Sequence, residues 1–284
     1  MTKRYLHVGV AQWLAVPGEP EQNLQSALAF VHHAAEAGVE LLLLPELWPC
    51  GYDPVTLERD VRAAAEPLDG PRCARLAQVS QSHRIWLAAG SIPERAEDGR
   101  LYNTAVVFDP RGSLVATHRK AHLYPPTRES SVFEPGDSLT TFDAQGLGTI
   151  GLLVCFDGDF PEVARTLAAR GARMVLAPAA YEVEGATAWD VLYPAAALAN
   201  GQWWIQANQC GTNRSCTLLG GSRILAPTGT VTAEARRAHP GGHAPPELIA
   251  HRIDMDVVNQ EGLSALLDHT RRPELYVDTG PRGR

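Results

Sequence analysis

The 284-residue chain has no apolar run approaching the roughly 20 residues needed to span a bilayer, so no membrane partner is expected. Cysteine is scarce. The five residues Cys50, Cys73, Cys155, Cys210 and Cys216 are odd in number and widely scattered. That argues against a disulfide framework and for a reducing, cytoplasmic setting, in which the sequon at Asn213-Arg214-Ser215 carries no meaning. Positive charge is not in excess. With a formal net charge of −7 and no obviously basic face, nucleic acid and anionic membrane surfaces are poor partners. The N-terminus enters strand-like alternation directly, without the apolar segment of a signal peptide.

Several chemical motifs are also missing. There is no Walker loop and no Gly-x-Ser-x-Gly elbow. Residues 146–151, GLGTIG, have dinucleotide-loop spacing but precede a strand, where that fingerprint must follow one and open a helix. His118 and His122 stand four apart with no glutamate between them, in a strand-to-loop pattern, which makes a weak metal pair. Cys210 and Cys216 are too far apart for a zinc knuckle. No internal repeat or domain linker is visible.

What is present is ordinary for a globular protein: 45% hydrophobic and 20% charged residues, in a chain long enough to bury a sizeable core. Residues 6–13 alternate as a strand, and 21–37 carry apolar positions at helical spacing, stopped by Gly38. Residues 39–44 form a fully apolar run, the mark of a strand buried on both faces. Helical patterns follow at 55–65 and 71–82, and a strand at 85–90. Strands at 101–109 and 114–118 are joined by the turn Asp109-Pro110-Arg111-Gly112. A long loop at 120–139 has the length usually reserved for function. The apolar strand 150–154 runs into Cys155. Beyond it the pattern predicts helices at 161–170 and 189–200. It predicts strands at 174–177, 203–207, 222–225, 230–235 and 248–253. Strands alternate with helices, but two hairpins break the alternation, which predicts mixed sheets covered by helices in one α/β domain.

The stretch GTIGLLVCFDGDFPE, residues 148–162, concentrates the chemistry. A strand, a sharp turn carrying a thiol and a helix N-terminus favour a thiolate and offer a backbone N–H to an oxyanion. Gly158 is read as the source of backbone freedom in that turn. Asp159 and Glu162 stand at capping-box spacing, with Pro161 in the first helical turn. Glu46 and Lys120 likewise follow the ends of strand patterns. Together the three could serve as thiol nucleophile, carboxylate base and ammonium for a developing oxyanion.

LLLLPELW around Glu46, HRKAHLY around Lys120 and VCFDGDFPE around Cys155 resemble the three signatures of the nitrilase superfamily of carbon–nitrogen hydrolases. VGVAQW, LYNTAVVFDPRG and ESSVFEPGD agree. The resemblance implies a four-layer α-β-β-α sandwich in a single domain, here residues 5–265. Residues 266–284 then form a tail that is flexible or associated with a dimer. It also implies assembly as a homodimer or higher homo-oligomer, with no metal and no organic cofactor. It assigns Glu46 as general base, Lys120 as oxyanion stabiliser and Cys155 as nucleophile. Glu129, in preference to Glu134, is the second glutamate, and the Phe156 N–H completes the oxyanion site. The implied reaction is hydrolysis of a small linear amide through a thioester, releasing ammonia.

True nitrilases of the family typically have Cys-Trp-Glu where this chain has Cys155-Phe156-Asp157, which favours amides over nitriles. An arginine frequent before Phe-Pro-Glu is replaced by Asp159, which weakens the N-carbamoyl amino acid alternative. Asp159 either caps the following helix or faces the pocket, where it suits a cationic substrate. Tyr52 and Tyr181 are the aromatic candidates for contacting substrate, ahead of Trp48, Tyr124 and Trp189. A Cys–His hydrolase using His118 or His122, and a non-catalytic binding protein, are the alternatives from other classes.

Overall fold

The computed structural model describes residues 5–239, 242, 244–257 and 263–276. The first half of the chain builds one sheet. β1 (Tyr5–Gln12) is followed by α1 (Pro20–Glu36), which starts on Pro20 and buries Leu24, Ala27, Leu28, Val31 and Ala34 at helical spacing. β2 (Leu41–Leu43) is shorter than the apolar run that predicted it, but both of its faces are buried. Leu41 and Leu43 point one way, Leu42 and Leu44 the other. α2 (Leu57–Ala64) and α3 (Pro71–His83) precede β3 (Trp86–Arg95). β4 (Leu101–Phe108) and β5 (Leu114–Arg119) extend the sheet as antiparallel hairpins, whereas β1, β2 and β3 run parallel.

The second sheet starts with β6 (Thr140–Ala144), which lies just past the long loop and which the sequence pattern does not predict. Its residues TTFDA lack an apolar run because it is a half-exposed edge strand, paired antiparallel with β7 (Gly148–Leu152). The dinucleotide-like glycines thus belong to this hairpin. α4 (Pro161–Ala169), β8 (Met174–Ala179), α5 (Ala186–Asn200) and β9 (Trp203–Asn208) follow, with β7, β8 and β9 parallel. A small separate hairpin, β10 (Cys210–Thr212) and β11 (Thr217–Leu219), was also not foreseen. β12 (Arg223–Leu225) and β13 (Val231–Glu234) complete the second sheet. β14 (Glu247–Asp254) crosses back to pair with β1 and closes the first. α6 (Leu263–Thr270) lies against α5 and runs across the expected domain boundary at residue 265. The expected tail falls outside the described residues beyond residue 276.

Two six-stranded sheets therefore stack face to face. Val8, Val10, Leu41 and Leu43 meet Ile150, Leu152, Leu176 and Ile205 between them. On one outer face Leu42 and Leu44 pack under Leu28, Val31 and Leu76 of α1 and α3. On the other, Val175 and Trp204 pack under Val163, Leu167 and Tyr193 of α4 and α5. Each such aliphatic side chain contributes about 1.5–3 kcal/mol by leaving water, which commits both faces of both sheets to burial. The result is the single-domain α-β-β-α sandwich. Its consequence for chemistry is local. The residues just past β2, β5, β7 and β8 meet at one end of the sandwich, where the Glu46 N–H donates to the Ala179 carbonyl at 3.3 Å.

Candidate active site

Glu46 follows β2 and is wholly buried. Its Oε1 accepts from Lys120 Nζ at 2.9 Å and from Asn103 Nδ2 at 2.8 Å. Its Oε2 accepts from the Ala180 N–H at 2.8 Å, just past β8, and its carbonyl accepts from Gln209 Nε2. Gly90 allows this approach: a Cβ there would lie 1.9 Å from the Pro45 carbonyl oxygen. Lys120, the residue after β5, is 1% exposed and also donates to Glu129 Oε1 at 2.9 Å. Glu129, wholly buried on a 3-10 turn (Glu129–Ser131), accepts further bonds from the Tyr52 hydroxyl and the Tyr124 N–H, both at 2.9 Å. Glu134 is exposed and takes no part.

One ammonium thus stands between two buried carboxylates. Burial would lower the Lys120 value, but Glu129 and Glu46 more than offset it and hold the amine firmly protonated. Burial raises the Glu46 carboxyl, Lys120 opposing and Glu129 adding to the rise. Both directions describe one cation shared by two acids, of which Glu46 is poised to take up a proton.

Cys155 begins a 3-10 turn (Cys155–Asp159) three residues past the end of β7, after the buried Leu153 and Val154, and is 8% exposed. Its thiol is pushed well up by burial and then by Glu46, with Lys120 opposing. The thiolate favoured by the local turn and helix dipole is therefore not the resting state, because the sulfur sits in a dry site beside a carboxylate. Burial raises the other thiols too, Cys50, Cys73 and Cys216 to about 12 and Cys210 to about 11. Acidity does not single out Cys155; its neighbours do. The Phe156 N–H belongs to the same 3-10 turn, next to the thiol-bearing residue.

Among the described residues four non-glycine positions have positive φ: Leu47, Arg84, Arg128 and Cys155. Arg84 caps a helix, whereas the other three are Cys155 itself and the neighbours of Glu46 and Glu129. Each such conformation costs on the order of 1–3 kcal/mol and persists only where its surroundings hold it. The freedom assigned to Gly158 is thus needed at Cys155. What Gly158 provides is room, since a Cβ there would lie 2.4 Å from the Tyr193 ring, whose hydroxyl donates to the Cys155 carbonyl at 2.9 Å.

Asp157 holds the turn. It is wholly buried and accepts from the N–H groups of Val154, Ala121 and His122 and from the rings of His118 and His122. Both histidines proposed for a Cys–His pair or a metal are thus turned to Asp157. Its carboxyl is held well below the usual carboxylate range: burial opposes this, and the His118 and His122 bonds outweigh it. A lowered folded value means that the Asp157 contribution is complete above its unfolded value of about 3.9, and is lost as pH falls from there through the folded value. We expect Asp157→Ala to cost about 3–5 kcal/mol. Urea midpoints should also fall less steeply for this variant than for wild type below about pH 4.

Asp159 does not cap α4. The cap position is Phe160, with no side-chain cap bond, and Asp159 Oδ2 instead accepts from the Tyr181 hydroxyl at 2.8 Å. Asp159, Tyr181, Tyr52, Tyr124 and Phe156 line a 270 Å³ cavity that opens beside Cys155. Trp48 and Trp189 are wholly buried core residues. Sequence reasoning missed Asn103, Ala180 and Gln209 around Glu46. Asn103 had a signal, a buried amide inside the apolar strand LYNTAVVF just before the hairpin that ends at Lys120.

The carbon–nitrogen hydrolase model matches residues 7–260. The deaminated glutathione amidase of Bos taurus is 32% identical over 96% of this chain and 84% of its own length. The chloroplastic omega-amidase of Arabidopsis thaliana is 33% identical over 95% of this chain and 73% of its own. Among solved structures, a cysteine-to-alanine mutant of the amidase from Nesterenkonia sp. AN1, in complex with butyramide, superposes with a TM-score of 0.78. It has 29% identity and covers 95% of each chain. A buried Glu–Lys–Glu cluster beside a cysteine at the strand ends of this sandwich, and a family match spanning nearly the whole chain, lead to one conclusion: the chain belongs to the carbon–nitrogen hydrolase family.

Proposed function

We propose that the chain hydrolyses a small linear amide to a carboxylate and ammonia through a thioester on Cys155. The observation that carries this reading is the shared burial of Glu46, Lys120 and Cys155, brought together from three strand ends with Cys155 opening on the cavity. Cys155 Sγ attacks the amide carbon while its proton passes to Glu46, whose raised value suits it to accept one. The oxyanion rests between Lys120 Nζ and the Phe156 N–H. Glu46 returns the proton to the leaving nitrogen, the C–N bond breaks and ammonia departs. Glu46 then takes a proton from water, whose oxygen attacks the thioester, and the thiol is released with the acid. Glu129 keeps Lys120 in place, and Tyr52 and Thr127 keep Glu129 in place.

The butyramide complex of the Nesterenkonia amidase and the amidase names of the relatives support amides over nitriles. The cavity, just below the usual range of ligand-site volumes, supports a small substrate. Five free cysteines support work in a reducing compartment such as the cytoplasm. Val191 and Leu198 of α5, 57% and 38% exposed, support self-association of the 5–265 domain. Among the described residues no helix is long and apolar enough to cross a membrane. The test is ammonia release from butyramide, from ureido acids and from butyronitrile. We expect turnover of the amide at least about tenfold above the other two. Release from the nitrile or ureido acid alone would overturn the reading.

A further inference from the structure

The cavity beside Cys155 has an electrostatic character that amide hydrolysis does not require. Its lining includes two carboxylates, Asp159 and Glu182, and no arginine, lysine or histidine. Asp159 Oδ2 accepts from the Tyr181 hydroxyl, and the Tyr193 hydroxyl, which donates to the Cys155 carbonyl, stands close enough to act on the same carboxyl. The Asp159 Oδ1 is buried with no partner among the described residues. A carboxylate has room for about four hydrogen bonds, and a buried oxygen left without one is costly, so this acid is under-supplied with donors. Burial raises both Asp159 and Glu182; at Asp159 the Tyr181 and Tyr193 hydroxyls and the Lys120 charge oppose the rise without cancelling it. The Tyr181 donor is rigid. The Tyr181 ring packs on Trp189 and Tyr193, and a Cβ on Gly185 would lie 2.2 Å from it. Aromatic rings of Tyr52, Tyr124 and Phe156 form part of the remaining wall, beside small residues such as Ala180 and Ala188, and such rings favour cations over anions.

We propose that this cavity binds the cationic end of the substrate: an amide whose acyl chain carries an ammonium or guanidinium group, paired with Asp159. The assignment rests on the amidase reading for its reaction and on the cavity alone for its specificity. Asp159 is the specificity-determining anion, and Tyr181 is a positioning residue that aims it. An acyl chain ending in a carboxylate would meet Asp159 and Glu182 with no cation on the cavity lining to offset them.

Three amides of matched length separate the cases: 5-aminopentanamide, hexanamide and glutaramate. For wild type, kcat/KM should be about tenfold to a hundredfold higher for the ammonium amide than for hexanamide, and lowest for glutaramate. In Asp159→Asn the ammonium-to-neutral ratio should fall to about one. Calorimetric binding of the same amides to Cys155→Ala reads the subsite without turnover, so a failure of the amidase reading would be seen separately. The ammonium amide should bind the tightest there too. Equal kcat/KM and equal binding for the ammonium and neutral amides would overturn the proposal. So would a preference that survives Asp159→Asn and disappears only in Glu182→Gln.

Discussion

Cys155→Ala should abolish ammonia release from any amide the chain accepts, a loss on the order of 10⁴–10⁶-fold in kcat. Glu46→Gln should cost nearly as much, and the double variant little more than either, because groups that act as a unit do not add. The physical reason lies in the resting protonation state. Burial and the Glu46 charge push the Cys155 thiol well up, so almost no thiolate exists at neutral pH before substrate arrives. The sulfur becomes a nucleophile only as its proton passes to a carboxyl, and burial has raised Glu46 toward accepting it. Glutamine keeps the size of that side chain, and its amide oxygen can still accept from Lys120 and Asn103, but it cannot carry the proton. Steady-state ammonia assays on the three variants are sufficient, and Glu46→Gln within tenfold of wild type would sink the assignment. The same protonation state predicts slow alkylation of Cys155 by iodoacetamide at pH 7, so an inert thiol would not argue against catalysis.

The parts of this arrangement that were legible in the sequence are those written locally. The run at 39–44 signals a strand buried on both faces, and Leu41 to Leu44 do alternate between the inter-sheet core and the helical layer. Glu46, Lys120 and Cys155 could each be placed just past a strand because apolar runs end there. What was hidden depends on partners distant in sequence. β6 has no apolar run because one of its faces is open, so its pairing with β7 was invisible. Asp159 stood at capping spacing, and only the position of Tyr181 reveals that its carboxylate turns the other way. Asp157 looked like a marker of substrate class. It is instead a buried knot tying the Cys155 turn to the segment around Lys120 through His118, His122 and three backbone N–H groups. The local dipole argument for a thiolate failed for the same reason, since burial disfavours charge on the sulfur and Glu46, from the other half of the chain, adds to it.

Lys120→Met should be damaging twice over, and the two losses can be separated. The ammonium is 2.9 Å from both Glu46 and Glu129, and all three side chains are buried. Removing the cation leaves two carboxylates facing each other in a dry site, and breaking a buried pair in this way costs about 3–5 kcal/mol. In a domain of this size that lowers Tm by roughly 10 °C. Part of the penalty is avoidable by protonating one acid, and Glu46, already raised, is the one to accept it. That proton blocks Glu46 from taking the thiol's, so the base is lost along with the oxyanion donor. Lys120→Met/Glu129→Gln removes one of the two stranded charges, and should recover a good part of the lost Tm while leaving ammonia release abolished. A stabilising network with no catalytic part would behave differently, because activity would return with stability. Thermal melts and ammonia assays on wild type and the two variants distinguish the outcomes. A single variant that keeps its full Tm would mean that Lys120 does not neutralise the cluster, and a double variant that regains turnover would remove Lys120 from the oxyanion site.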